Sequence, residues 1–253
     1  MAIEQDIWHP LKAFTAARIA LGRTGTAIPL TEVLAFKLAF AYAKDAVYSA
    51  LDVASLTTQL SVLDKPIYHL RSKATSRAEY LQRPDYGRLL SVESLDLLKN
   101  KRDETRYDVA FIIADGLSAT AINKHAFAVI ELLINDLRAL NYAIAPISIV
   151  EQGRVAISDE IGFYVNAQMA VILIGERPGL TSPDSMGAYL TFNPHKGLTD
   201  ESRNCVSNIR PEGLVYAFAA QKILYLIQES LRLKLSGVGL KDNSSHSTFY
   251  LNT

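Results

Sequence analysis

The sequence predicts an α/β fold: a mostly parallel sheet covered by helices and preceded by an N-terminal helical region. Three observations carry this expectation. Met169 to Ile174 is a continuous apolar run, β-branched at Val171, Ile172 and Ile174, as suits a strand buried on both faces. The run stops abruptly at Gly175-Glu176-Arg177-Pro178-Gly179, where glycine frees the backbone and proline fixes it. From Tyr107 onward, strand-like and helix-like segments alternate. That alternation predicts right-handed βαβ crossovers and a Rossmann-like layer.

Composition narrows the function classes. The 253 residues carry 26 basic and 26 acidic side chains, so no electrostatic case exists for nucleic acid or an anionic membrane. The single cysteine, Cys205, cannot form an internal disulfide, and a reducing cytosol is the natural reading. The start, Met-Ala-Ile-Glu-Gln-Asp-Ile-Trp-His-Pro, does not read as a secretory signal. No apolar stretch approaches the roughly 20 residues of a membrane span. The five histidines are scattered, so no structural zinc site and no metal ligand set is expected. There is no Walker loop and no Gly-x-Gly-x-x-Gly.

In chain order, residues 10–62 read as helices. Pro10 suits a first turn, with Leu11, Phe14, Ala17, Ile19 and Leu21 as a loose face ending at Gly22. Gly22-Arg23-Thr24-Gly25 reads either as a helix end or as a contact through Arg23. Thr31 to Leu51 is a second helix, capped by Thr31. Residues 63–90 read as irregular and basic, through Arg71, Lys73, Arg77, Arg83 and Arg88. Tyr80 and Tyr86 leave open a solvated face or a partner surface. Ser91 to Lys99 is a short helix and Asn100 to Glu104 a polar linker. The boundary falls there: 1–103 is a helical region and 104–253 the Rossmann-like domain.

Within that domain, Val109 to Ala114 is a strand, and Ser118 caps a helix reaching Leu140. Ala143 to Val150 is a second strand, which Pro146 places at a bulge or near an edge. Ser158 to Asn166 is a helix with Asp159 and Glu160 in its first turn. After the Met169–Ile174 strand come β-compatible stretches at Gly187–Phe192 and Cys205–Ile209. A last helix follows with Ala217, Ala220, Leu224, Ile227 and Leu231 on one face, then a polar tail from Ser236 expected to fray.

Ligands of open α/β sheets bind beyond the carboxyl ends of the strands, which brings Asp115-Gly116, Glu151 to Arg154 and Glu176-Arg177 to one rim. The residues there do not assemble a catalytic set. Asp115 lacks the second aspartate that aspartyl phosphotransferases place two residues earlier, where Ile113 stands, and is read as capping the turn. Ser118 and His125 lie on one helix with no orienting carboxylate. His125 reads as packed or on the helix surface, and His195 as exposed in a turn. Cys205 has no local basic partner to raise its thiolate fraction and reads as a packed small residue. On these grounds the chain is a ligand-binding or partner-binding domain with no catalytic residue of its own.

A set of motifs is more specific. Gly22-Arg23-x-Gly25, Arg83-Pro84-Asp85-Tyr86-Gly87-Arg88, Asp115-Gly116-Leu117-Ser118, Gly153-Arg154-Val155, Asp159-Glu160-Ile161-Gly162, Gly175-Glu176-Arg177-Pro178-Gly179-Leu180, Ser182-x-Asp184-Ser185 and Arg203-Asn204-Cys205-Val206-Ser207-Asn208-Ile209 occur in order across nearly the whole chain. Together they resemble the small (light) subunit of ethanolamine ammonia-lyase. The resemblance implies a subunit of an adenosylcobalamin-dependent lyase that converts ethanolamine to acetaldehyde and ammonia. The substrate site is expected on a large subunit, and residues 104–253 become the cobalamin-binding domain.

It further implies a hetero-oligomer of large–small pairs, with the cobalamin enclosed at their interface. By the family's pattern Val155, Glu176 and Cys205 are its contacts here, the stretch between Glu176 and Cys205 being one residue shorter around Asn193 to Asp200. No Asp-x-His-x-x-Gly motif is present to offer cobalt a histidine. A cytoplasmic location is implied. Many relatives also carry a longer N-terminal extension that serves solubility or packaging in a bacterial microcompartment. The match begins almost at once here, so the resemblance speaks to catalysis more than to packaging. The competing reading is a stand-alone small-molecule-binding or regulatory protein that has kept the fold.

Overall fold

The computed structural model describes residues 4–102 and 104–244. Its centre is a six-stranded sheet in the order β1-β3-β2-β4-β5-β6. The strands are β1 (Ile67–Arg71), β2 (Tyr107–Ala114), β3 (Ile147–Glu151), β4 (Ala167–Gly175), β5 (Met186–Phe192) and β6 (Arg203–Ile209). The first four in that spatial order run parallel, and β5 and β6 close the sheet as antiparallel neighbours. The mostly parallel α/β sheet behind N-terminal helices is thus as the sequence predicts.

Alternation along β2 and β4 explains the layers. Val109, Phe111, Ile113, Val171 and Leu173 point to one face, which is covered by α5 (Ala119–Ala139) and α7 (Tyr216–Leu233). Ala110, Ile112, Ala114, Ala170, Ile172 and Ile174 point to the other, beneath α4 (Val92–Lys101) and α6 (Ile157–Tyr164). Both faces are apolar because both are covered, which produces the unbroken run in β4. Ser118 caps α5 by accepting from the Ala121 N–H, and Ser91 caps α4 in the same way.

Several expectations are corrected. Residues 9–14 form a short 3-10 helix that ends in extended backbone at Thr15, so no helix runs to Gly22. The next helix, α1, is Leu30–Tyr48, and Pro29 stands at its N-cap with no side-chain bond, so Thr31 is inside the helix. Residues 63–90 are not irregular. They hold β1 and the short helix α3 (Arg77–Gln82), after α2 (Val53–Ser61). β1 carries the segment before residue 104 into the sheet by pairing with β3.

β3 is therefore interior. Pro146 sits just before it, where no ladder N–H is lost. α4 extends to Lys101 and takes in the start of the expected linker; Asp103 of that linker lies outside the described residues. The tail is anchored as far as it is described: Gly237 N–H donates to Asn204 Oδ1 and Leu240 is buried, while residues 245–253 lie outside the described set. No described helix is long and apolar enough to cross a membrane.

Candidate functional site

The parallel topology brings the three expected loops to one rim. A cleft of about 440 Å³ opens there, lined by Tyr80, Gly116, Leu117, Arg154, Val155, Ile174, Gly175, Glu176, Arg177 and Tyr189. Its floor is two backbones in contact. Gly116 takes a left-handed φ of 56°, and the Leu117 N–H donates to the Gly175 carbonyl at 2.9 Å. The end of β4 thereby docks on the turn that follows β2.

Asp115 organises the next strand over. Its buried carboxylate accepts from the Gln152 and Gly153 N–H groups, each at 3.0 Å, and lies 3.5 Å from the Arg77 guanidinium. The aspartate clamps the exit of β3 to the exit of β2, so the groups it holds belong to the next strand's loop and not to the turn it was expected to cap. Burial pushes this carboxyl up to about 6, against the opposing pull of Arg77 and the backbone donors. A carboxyl whose pKa is raised on folding holds its proton longer in the folded state than in the unfolded chain. Its contribution to stability is therefore fully present below the ordinary carboxylate range and falls as pH rises from about 4 to about 6. Asp115→Asn removes that titration. The difference in unfolding free energy between wild type and variant is expected to change by on the order of 2–3 kcal/mol across this window, read from urea denaturation at pH 4, 5 and 6. A difference flat with pH would rule the clamp's titration out.

Behind the cleft, the buried Tyr80 ring is sandwiched between two guanidinium groups, Arg77 at 4.6 Å and Arg154 at 4.3 Å from the ring centre. Burial raises the Tyr80 hydroxyl well above its ordinary range, so it stays protonated. Tyr80 is thus no surface tyrosine, and of the basic residues from Arg71 to Arg88 it is Arg77 that turns inward. Arg154 lines the cleft with a buried Nε that has no hydrogen-bond partner among the described residues.

The predicted contact residues separate. Val155 and Glu176 both line the cleft. Glu176 is held firmly: its Oε2 accepts from the Ser185 hydroxyl and from the Asn208 N–H at 3.2 Å, and its own N–H donates to the Ser185 carbonyl. Cys205 lies one strand further out, exposed on β6 and paired with Tyr189, which does line the cleft. It is not the packed residue expected. Its thiol is pushed up from the ordinary value, first by desolvation and then by the nearby Glu176, with the Tyr189 hydroxyl opposing. A thiol raised in this way stays neutral and is a poor nucleophile. His125 is packed, its Nδ1 2.7 Å from the Tyr216 hydroxyl, and His195 is exposed in its turn. Sequence reasoning missed Tyr80, Ser185 and Tyr189 as parts of the site. Tyr189 carried a signal by sitting in a predicted strand beside the rim, and Ser185 by its place in the Ser182-x-Asp184-Ser185 motif.

The geometry can be set beside known proteins. Residues 5–241 match the family model "Ethanolamine ammonia-lyase light chain (EutC)". A protein of Azotobacter vinelandii named ethanolamine ammonia-lyase small subunit is 51% identical over 242 residues, covering 95% of this chain and 90% of its own. Proteins of the same name from Pseudomonas fluorescens strain SBW25 and Ralstonia nicotianae are each 49% identical, covering 95% of this chain and 88% and 90% of their own. A family match along nearly the whole chain, with half-identical relatives of matching length, places this chain in the ethanolamine ammonia-lyase light-chain family, as the small subunit of a lyase.

Proposed function

We propose that this subunit forms one wall of the adenosylcobalamin site of an ethanolamine ammonia-lyase, which its large subunit completes. Two features of the cleft fit such a cofactor. Leu117, Val155, Ile174 and Tyr189 offer an apolar surface to a broad macrocycle, and polar groups stand among them for its amide arms: Glu176 to accept, Arg154 and Arg177 to donate. The unpartnered Arg154 Nε is a donor still to be satisfied. The open cleft takes an edge of so large a group, as a shared interface requires.

When bound, adenosylcobalamin supplies radical chemistry through its cobalt–carbon bond. This chain's residues bind, orient and exclude water. No side chain of the cleft is arranged to move a proton. Tyr80 and Cys205 are held neutral, and the Asp115 carboxylate is spent on backbone donors. The observation that carries the proposal is Glu176, with one carboxylate oxygen locked by Ser185 and Asn208 and Oε1 without a hydrogen-bond partner among the described residues. A pre-oriented acceptor at the mouth of an apolar cleft is what a ring fringed with amides would select.

The test is acetaldehyde release from ethanolamine with adenosylcobalamin and the large subunit of the same source, with and without this chain. Activity that requires both chains is expected; full activity of the large subunit alone would refute the assignment. In the assembled enzyme, Glu176→Ala is expected to weaken cobalamin binding roughly 10- to 100-fold, the loss of a charged hydrogen bond, measured by equilibrium dialysis. Ser185→Ala, which only frees the carboxylate to rotate, is expected to weaken it a few-fold. Equal affinity in all three would remove Glu176 from the site.

A further inference from the structure

The N-terminal arm has a surface that its own chain leaves uncovered. Of 23 large apolar side chains exposed among the described residues, 12 lie before residue 49, including Trp8 at 61%, Phe14 at 86% and Phe40 at 57% exposure. Together they offer on the order of 1,000 Å² or more of apolar surface, where a lone folded protein shows a few hundred and a stable interface needs about 800 Å² per partner.

The shape of this surface is informative. At 100° per residue, Leu34 and Leu38 face one way along α1 and Phe36 and Phe40 lie about 200° round the helix. All four are exposed, and only Ala46 of the helix is buried. Although α1 also carries Glu32, Lys37, Lys44 and Asp45, a helix with exposed apolar residues on two opposite sides is built to be largely enclosed. A second copy pairing α1 against α1 would cover one face and leave the other wet. Outside the arm the 11 other exposed large apolar residues are spread along the chain from Val62 to Val238.

The arm's root is continuous with the cleft. Arg77 donates to the Val47 carbonyl at 2.6 Å and to the Gly116 carbonyl at 2.8 Å, so one guanidinium ties the last turn of α1 to the cleft floor. Ser49 accepts from the Thr120 N–H at the start of α5, beside the same rim. Whatever encloses the last turn of α1 therefore lies next to the loops that form the cleft.

We infer that α1 is a docking helix enclosed by an apolar groove of the large subunit, which it thereby holds against the cleft. This rests on the proposed assembly of the two subunits and adds the surface that makes it. The test is the double variant Leu34→Glu/Leu38→Lys, which keeps helix propensity and supplies a favourable i,i+4 pair. Neither residue lies in the cleft. The isolated variant is expected to melt within a few degrees of wild type. Its affinity for the large subunit, by titration and size-exclusion chromatography, is expected to fall at least 100-fold. Amides of α1 are expected to be protected from hydrogen exchange in the wild-type complex relative to the free chain. Unchanged affinity of the variant, or unchanged exchange in α1, would overturn the inference while leaving the assembly intact. Wild-type self-association or binding to phosphatidylcholine vesicles that the variant abolishes, with large-subunit affinity unchanged, would assign the helix to a second copy or to a lipid surface instead. Failure of the wild type itself to bind the large subunit would overturn both the assembly and the docking helix.

Discussion

Replacing Arg203 with methionine is expected to cost about 3–5 kcal/mol of unfolding free energy, the penalty of a buried carboxylate left without its counter-charge. Arg203 opens β6, and its Nη2 donates to Asp159 Oδ2 in the first turn of α6 at 2.8 Å. The two side chains are 2% and 5% exposed. The pair joins the outer strand of the sheet to a helix 44 residues earlier. Its desolvation is incompletely offset, since Arg203 Nε and Nη1 and Asp159 Oδ1 have no hydrogen-bond partner among the described residues. Burial accordingly pushes the Asp159 carboxyl up to about 6 even with Arg203 opposing. Without the arginine it rises further, so the variant's loss is larger at pH 8 than at pH 5, shrinking as Asp159 takes up a proton. Arg203→Met with Asp159→Leu is expected to recover most of the loss, because an apolar pair owes no desolvation. Urea midpoints at the two pH values measure all of this. A single variant that loses less than about 1 kcal/mol at pH 8 would show that water reaches the pair.

The two predictions in the fold and site that came from local pattern held because local chemistry determines them. The unbroken apolar run of β4 and the Ser118 cap are written within a few consecutive residues, and topology then places Asp115, Arg154 and Glu176 on one rim. β1 was obscured because a five-residue strand with only Leu70 buried has no periodic signature. Its strand character comes from pairing with β3, 80 residues downstream at Arg71 and Glu151. Tyr80 resembles an interface tyrosine in sequence, and only the two arginines that stack on it, one of them from the β3 exit loop, make it a buried wall. The locking of Glu176 is of the same kind: Ser185 and Asn208 stand 9 and 32 residues away and meet it because β5 and β6 turn back antiparallel. Val155 and Cys205, both expected as contacts from the motif resemblance, differ in where the fold puts them. Val155 borders the cleft, whereas Cys205 stands beside it through its strand partner Tyr189.

Gly175→Ala is the substitution expected to damage fold and site together. A Cβ at Gly175 would lie 2.1 Å from the Ser118 carbonyl oxygen and 2.6 Å from that of Asp115. These are backbone atoms of the β2 exit turn, held by the Asp115 clamp and by the cap of α5, so no side-chain rotation relieves the clash. Strand β4 and the turn must part, at an expected cost of about 3 kcal/mol or more. For a chain of this size that is a fall in Tm of roughly 6–12 °C. Cobalamin binding by the assembled enzyme is expected to be lost as well, because parting them opens the cleft floor. Gly187→Ala is the matched control. Its Cβ would meet Glu176 Oε1 at 2.9 Å and Cγ at 3.2 Å, side-chain rather than backbone atoms, so Glu176 gives up its bonds to Ser185 and Asn208 and swings aside while the backbone stays. That variant is expected to stay within about 1 kcal/mol of wild type and to bind cobalamin as weakly as Glu176→Ala. Stability and binding would then separate, with Gly175 carrying the floor and Glu176 the recognition. A Gly175→Ala protein that melts with wild type would mean that β4 and the turn do not touch, and the cleft would need another floor.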